Sequence, residues 1–428
     1  MRRYIFLLTM LVSTVSFAQE VLTVKEAVNI ALEKNYGILT AKNTAEISMN
    51  NATLGNAGLF PKLDVSAMTK YTDSEQDSND GKVDVANTQN STNINLSYTL
   101  VNGLGNIYNY KKLRLLAEGS SFQAKYIIET TVFNVVNMFY AVATQQDNFQ
   151  LSKEMLEISK ERLIRTEAKN ELGTGSSLDA LNARVDYNKD SVNYINAAKK
   201  YVDYKRNLNA LLSRRVDTEY IVNTEVLEFK SYNLKELLNI AFDNNSDYII
   251  SLNKLDQSKC DLKIANTTMF PTISLTTSYG YNKMNQTFDL GMNNSNASLS
   301  TGLSLTWNIF DGKKKSTQRR NAKINIENAK YKIEEQRLNI HRDISNTYAT
   351  YDNSLKVLEI EKSNLKSAEL NFKQSKEYYN LGQITSTRFR EAQLNLLAAK
   401  NNISTARYSA KVAEMDLNRT CGLILKIK

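Results

Sequence analysis

The stretch Leu59-Phe60-Pro61-Lys62-Leu63-Asp64-Val65 decides how this chain folds, because the chain contains it twice. Its partner is Met269-Phe270-Pro271-Thr272-Ile273-Ser274-Leu275, and the two hold the only 2 prolines among 428 residues. An offset of 210 holds without a gap between Leu22–Ala67 and Tyr232–Thr277, where Lys25/Lys235, Glu26/Glu236, Asn29/Asn239, Ile30/Ile240, Ala31/Ala241 and Asn35/Asn245 are identical. Self-similarity of this length marks an internal duplication. At each proline the period changes. Upstream the pattern is helical; downstream Leu63, Val65 and Ala67, then Ile273, Leu275, Thr277 and Tyr279, alternate with polar residues as in a half-buried strand. Proline cannot donate to a helix ladder and biases its predecessor to extended geometry. Phe60-Pro61 and Phe270-Pro271 therefore read as helix-to-strand switches.

Working outward, Thr23-Val24-Lys25-Glu26 has the form of a capping box and predicts a helix to about Lys34. Gly37 is expected to interrupt it before a second helix over residues 38–56. Strands are expected at about 62–71 and 93–101, the second with Ile94, Leu96, Tyr98 and Leu100 on one face. Between them Asp73, Glu75, Asp77, Asp80 and Asp84 lie among Ser, Asn and Gln, a composition that predicts a solvated loop. The second copy repeats the plan, with strands at about 272–282 and 298–309 (Leu303, Leu305, Trp307 and Ile309 alternating) around a loop rich in Asn285, Asn293, Asn294 and Asn296. Each second strand ends alike, Leu100-Val101-Asn102-Gly103 against Ile309-Phe310-Asp311-Gly312. Strands near ten residues with Tyr71, Tyr98, Tyr279, Tyr281 and Trp307 toward their ends suit a membrane barrel with aromatic girdles; a small soluble sheet with aromatics in its core is the other reading.

After each hairpin the helix breakers vanish. No Gly or Pro occurs from Lys313 to Leu381 or from Ser120 to Leu172. Long helices are expected at about 104–170 and 313–379, the latter about 100 Å long. Ile344, Tyr348, Tyr351, Leu355 and Leu358, then Leu365, Phe372 and Tyr379, trace a coiled-coil seam of period 3.5. The helices turn back at Glu171-Leu172-Gly173-Thr174-Gly175-Ser176-Ser177 and Asn380-Leu381-Gly382-Gln383-Ile384-Thr385-Ser386, each glycine fitted to a C-cap and each Ser/Thr group to an N-cap. Return helices are expected at about 177–213 and 386–420. The first carries Leu178, Leu181, Val185, Val192, Ile195 and Val202 at a and d positions, with Asn188 and Lys199 as polar breaks.

Composition bounds the function. Arg2 and Arg3 precede an apolar run that ends in Ser16-Phe17-Ala18 before Gln19, the form of a secretory leader over 1–18. No later apolar run is expected to cross a bilayer as a helix, so entry into a second membrane requires a barrel. Without the leader's two arginines the formal charge falls from +9 to +7, scattered along helices, which argues against nucleic acid as a partner. Cys260 and Cys421 lack metal-ligand spacing; pairing in an oxidising compartment and two free buried thiols both remain open. His341, the only histidine, lies mid-helix among charged residues in no motif expected of a base or ligand, and no phosphate loop or nucleophile elbow occurs in the sequence. The basic run Lys313, Lys314, Lys315, Arg319 and Arg320, partly echoed by Lys111, Lys112 and Arg114, reads as a solvated helix start or as an attraction to lipid phosphates.

Four strands per chain cannot close a membrane barrel, since open edges strand backbone groups in lipid. Copies are required: a dimer gives eight strands, a trimer twelve. Here the chain resembles the TolC-like outer membrane efflux protein family, through the duplicated Phe-Pro switch, the paired strand ends and the paired Leu-Gly tip turns with long flanking helices. The resemblance spans residues 19–230 and 231–428 as two efflux-protein repeats. It implies an α+β outer-membrane homotrimer whose 12-stranded barrel continues into an α-helical coiled-coil tunnel in the periplasm. It also implies the exit duct of a tripartite efflux or type I secretion system, with a periplasmic adaptor (membrane fusion) protein and an inner-membrane transporter as partners, lipid around the barrel and no cofactor. By the same resemblance a gate lies at Tyr379, Arg388 and Glu391 with Asp179 of the first tip, where Arg388 departs from the family's acidic pattern and is expected to pair with Asp179 or Glu391 within or between chains. The tips Gly173, Thr174, Gly175, Ser176 and Ser177, and Gly382, Gln383, Ile384 and Thr385, become the adaptor contact. The competing expectation is an exported structural or adhesive coiled-coil protein without a pore.

Overall fold

Two copies of one plan are visible in the element lengths. The computed structural model describes residues 21–78, 81–226, 228–286 and 294–426; the expected leader over 1–18, Asp80 and Asn293 lie outside them. In chain order the elements are β1 (Val21–Leu22), α1 (Val24–Lys34), α2 (Tyr36–Asn51), β2 (Lys62–Ser78), β3 (Gly81–Val101), α3 (Gly105–Glu171) and α4 (Ser177–Leu211). The second copy gives β4 (Ile221–Val222), α5 (Leu234–Asn244), α6 (Ser246–Thr267), β5 (Thr272–Gln286), β6 (Asn294–Thr306), α7 (Lys314–Asn380) and α8 (Ser386–Thr420). Both long helices have 67 residues and both return helices 35. The chain divides into two units, one of residues up to Leu39 with Ile128–Ile240 and Asp343 onward, the other Thr40–Ile127 with Ala241–Arg342.

The second unit contains a four-stranded antiparallel sheet in the order β2-β3-β5-β6. Its register sorts the side chains. Directly paired residues share a face, and Leu63↔Leu96↔Thr277↔Thr301, Val65↔Ile94↔Tyr279↔Leu299 and Tyr98↔Leu275↔Leu303 stack apolar groups on one side. The opposite side is built from Ser66↔Asn93↔Gly280↔Ser298, Asp64↔Asn95↔Ser278↔Ser300 and Met68↔Ser91↔Asn282↔Asn296. The apolar face is uncovered: Leu63, Val65, Leu299, Leu303 and Leu305 are all exposed. Along β2 that face runs from Leu63 to Tyr71, about 30 Å of strand, the hydrocarbon thickness of a bilayer.

Several sequence expectations are corrected here. The acidic stretch at Asp73, Glu75, Asp77 and Asp84 is strand rather than loop, because β2 and β3 pair without a slip from Lys62↔Ser97 to Ser78↔Gly81 and Lys82 meets Glu75 at 2.7 Å. Asn285, Asn294 and Asn296 likewise lie in strands, and β6 stops at Thr306, leaving Trp307 and Ile309 beyond it. The break between the first helices falls at Asn35, not Gly37. Asn35 is extended (ψ 122) and its Oδ1 accepts from the Ile38 N–H at 3.1 Å, as Asn245 accepts from Tyr248 at 3.0 Å before α6. Helix α2 ends at Asn51 rather than 56, giving way to a turn in which Leu59 N–H donates to Leu54 C=O at 2.9 Å. Gly119 lies inside α3 without breaking it; a Cβ there would meet Asn253 Oδ1 at 2.6 Å, so the glycine admits α6 at close range.

In the first unit β1 and β4 pair in parallel, Val21↔Ile221 and Leu22↔Val222. Gln146 holds β4 through both amide atoms, donating to Val222 C=O at 3.1 Å and accepting from its N–H at 3.0 Å. Around this pair Leu22, Ala27, Ala31, Val135, Phe139, Val142, Leu208, Leu212 and Tyr220 form the main core. Against expectation, α3 does contain an 18-residue window of mean hydropathy 1.3, enough by length and composition to cross a membrane. Its Val135, Val136, Phe139, Val142 and Ala143 belong to that core, which accounts for the hydropathy. The seam residues of α7 face inward, with Ile344, Tyr351, Leu358 and Tyr379 buried. Helix α4 does the opposite. Leu178, Leu181, Val185, Val192, Ile195 and Val202 are exposed, Ile195 to 65%, while Ala183, Asp190 and Lys205 turn inward.

Candidate functional site

The two hairpin tips are shaped by their caps. At the first, Gly173 takes φ +69 and Thr174 N–H reaches back to Lys169 C=O at 3.0 Å; Ser176 Oγ then accepts from Leu178 N–H at 3.2 Å to open α4. At the second, Gly382 takes φ +75, Gln383 N–H donates to Tyr378 C=O at 2.8 Å, and Thr385 Oγ1 accepts from Arg388 N–H at 3.3 Å. Gly173, Thr174, Gly175, Ser176, Ser177, Gly382, Gln383 and Thr385 are exposed and Ile384 is half-buried. Gly175 is held by space: a Cβ would meet Lys169 and the Asn170 backbone at 2.9–3.0 Å.

The four residues expected at the gate are not joined to one another. Tyr379 is buried, its ring 4.7 Å from that of Phe389 at 7°, with Phe372 stacked on Phe389 at 5.9 Å. Arg165 places its guanidinium 5.3 Å from the Tyr379 centroid and donates to Asn380 Oδ1 at 2.7 Å. Among the described residues no ion pair involves Asp179, Arg388 or Glu391. The helix directions explain this. Position 388 points outward on α8, and its neighbours Phe389 and Arg390 take the inward positions.

Sequence reasoning missed the charges that do meet. Arg390 donates to Asp190 Oδ1 at 2.7 Å, a pair 200 residues apart whose side chains are 7% and 4% exposed. Arg162 pairs with Asp186, whose other oxygen lies 3.8 Å from Arg390 Nε, and Arg162 also donates to Ser386 C=O at 3.4 Å. The four alternate in sign and tie α3 and α4 to α8. Among the described residues Arg162 Nε, Arg390 Nε and Asp190 Oδ2 have no hydrogen-bond partner. Beside them a cleft of about 370 Å³ is lined by Gln145, Asn148, Asp190, Asn193 and Lys200. Buried opposite charges are costly singly and tolerable only together. The signal lay in the pattern: Asp186 and Asp190 sit at i, i+4 on the face of α4 away from its apolar stripe.

A second buried cluster surrounds Glu414. It accepts from Lys411 at 2.7 Å and from the Tyr232 hydroxyl at 3.2 Å, and Asn418 donates to Tyr232 at 2.9 Å. Burial, reinforced by the charge of Glu414, pushes the Tyr140 phenol up to about 12; burial does the same to Tyr232, with Asn418 opposing and Glu414 adding. Both cysteines are free and buried, and burial raises the Cys421 thiol to about 12. Among the described residues no cluster of three or more His, Cys, Asp or Glu is placed to hold a metal.

The model of the outer membrane efflux protein family matches residues 27–214 and again 237–423. The outer membrane protein TolC of Salmonella enteritidis is 21% identical over 430 residues, covering 96% of this chain and 84% of that protein. Among solved structures, the CmeC outer membrane channel of Campylobacter jejuni superposes with a TM-score of 0.79 at 18% identity, covering 94% of this chain and 86% of that one. A membrane protein from Pseudomonas aeruginosa gives 0.77 at 17% identity, with 93% and 90% covered. With its family model matched twice across most of its length, the chain belongs to the outer membrane efflux protein family and is an outer-membrane channel, an exit duct of efflux systems rather than an enzyme.

Proposed function

We propose that three copies of this chain close one duct, each giving four strands to a twelve-stranded barrel and two helical hairpins to a periplasmic tunnel. The observation that carries it is the register of the sheet, which gathers the apolar residues on one uncovered face and the polar ones on the other. A barrel of that pattern turns Leu63, Val65, Ile94, Tyr279, Leu299 and Leu303 to lipid and lines its lumen with Ser, Asn and Thr. Among the described residues strands β2 and β6 each have one unpaired edge, which neighbouring copies would satisfy. Tyr98 and Trp307 fall at the helical end of the apolar band, Tyr71 and Tyr281 toward its other end, as interfacial girdles would. The exposed stripe of α4 supports the same assembly, since a coiled-coil seam uncovered within one chain asks for a second helix.

Family membership supports the remaining roles. The capped tips, Gly173–Ser177 and 382–385, are the contact for a periplasmic adaptor protein, which couples the duct to an inner-membrane transporter. The cargo, small molecules or proteins, passes along the lumen. The gate is made between copies: Asp179, Arg388 and Glu391, in no ion pair among the described residues, meet across the tunnel entrance near the buried Tyr379. Single-channel recording in planar bilayers tests this reading. The protein conducts, and the Asp179→Ala/Arg388→Ala variant conducts more; no channels would defeat the duct, and unchanged conductance in the variant would defeat the gate.

A further inference from the structure

Just past β6 the chain passes from apolar to strongly basic within a few residues. Trp307, Ile309 and Phe310 are exposed, Phe310 to 81%, and Lys313, Lys314, Lys315, Arg319, Arg320 and Lys323 follow with no acidic residue between Gly312 and Glu327. Farther along α7 acidic residues are interspersed and several cations pair with them: Lys332 with Glu335, Arg337 with Glu334, Lys356 with Asp352 and Lys362 with Glu359. Lys313, Lys314, Arg319 and Arg320 are exposed and have no acidic partner among the described residues; Lys315 donates to Asn308 C=O at 2.7 Å. Positive charge at a helix start opposes the helix dipole, so local stability does not explain the run. The helix start is itself already capped, Asp311 Oδ2 accepting from Lys315 N–H at 3.0 Å and Lys313 C=O from Thr317 N–H at 2.9 Å. Lys313 is also held at φ +70, directly after Gly312 at φ +66, which fixes where the run begins.

We propose that this basic collar binds the phosphate headgroups of anionic phospholipid in the periplasmic leaflet of the outer membrane. It rests on the placement of the sheet in that membrane. Trp307, Ile309 and Phe310 enter the edge of the hydrocarbon, where an indole and apolar side chains are favoured, and the collar follows where the phosphates lie. From Lys313 to Arg320 the helix advances about 10 Å, comparable to the ~5–8 Å headgroup layer on one side of a bilayer. Lys313, Lys314 and Lys315 supply point charges, and Arg319 and Arg320 add forks that match a phosphate.

The test uses the full protein in vesicles of equal phosphatidylcholine and phosphatidylglycerol, with spin-labelled tracers of either lipid reporting which one the protein immobilises. Labelled phosphatidylglycerol is expected to be enriched about fivefold, the effect of one basic residue fully engaged. In the variant Lys313→Gln/Lys314→Gln/Lys315→Gln/Arg319→Gln/Arg320→Gln the preference falls to about one, while Lys366→Gln/Lys373→Gln/Lys376→Gln, on an exposed stretch far along α7, keeps it. Raising sodium chloride to about 0.5 M removes the preference of the unaltered protein by screening, a readout that does not depend on any variant folding. No preference, a salt-insensitive one, or equal loss in both variants overturns the proposal. Conductance of the unaltered protein in the same vesicles separates this failure from a failure of the duct itself.

Discussion

Arg390 shows at the scale of one side chain what joins the two repeats. Truncating it leaves Asp190 buried without its partner, a change that costs about 3–5 kcal/mol when one half of a buried pair is removed. Arg390→Ala should therefore lower the denaturation midpoint markedly, and Arg390→Met/Asp190→Leu should recover most of the loss; equal midpoints for the single and double variants would contradict this. Alkaline stability follows from the phenols. Tyr140 and Tyr232 titrate near 10 when unfolded and are raised to about 12 in the fold by burial and Glu414. Their stabilisation is full below pH 10 and is lost as pH rises through 12, because the unfolded chain then releases protons the folded one keeps. Melting temperature should fall steadily between pH 10 and 12, and Tyr140→Phe/Tyr232→Phe should flatten that slope. The pairing of Arg390 with Asp190 was not legible beforehand: the i, i+4 spacing of Asp186 and Asp190 marks an acidic face of α4 but names no partner 200 positions away, whereas Thr23 and Glu26 are local to one turn, and the structure holds both bonds of that box.

The elements most easily read were those whose signal is periodic and uninterrupted. The α7 seam predicted its own burial. The α4 stripe had the same period, yet it faces outward, because periodicity reveals an apolar face without saying which chain covers it. The strands were under-read for a related reason. The outer half of the β2–β3 hairpin is mostly polar in sequence, so its pairing rests largely on the backbone ladder and cross-strand pairs, which composition does not reveal. The gate was read through resemblance; within one chain position 388 is exposed, while 389 and 390 are buried. The exposed stripe makes the element-scale prediction. Leu181→Glu/Ile195→Glu should leave helical content unchanged by circular dichroism and abolish assembly by size-exclusion chromatography with light scattering. Retained assembly would mean that the stripe lies outside the interface.

At the scale of the whole molecule, one chain is an incomplete object. Among the described residues its sheet has two open edges, its apolar strand face is uncovered, and a coiled-coil stripe lies bare along α4. Each deficit alone is tolerable; all three are met at once if copies stand side by side in a membrane. The duplication supplies the symmetry, since two near-equivalent hairpins per chain let three chains present six similar units around one axis. That inference was available from the sequence, as the Phe-Pro switches and repeated tips fixed the count of strands and helices per chain. The number of copies, three, comes instead from the family resemblance, because eight strands and twelve both close the open edges. The most direct measurement is native mass spectrometry of the detergent-extracted protein. The account predicts a particle of three chains, stable until the detergent shell is stripped; a single chain, or a pair, would contradict it.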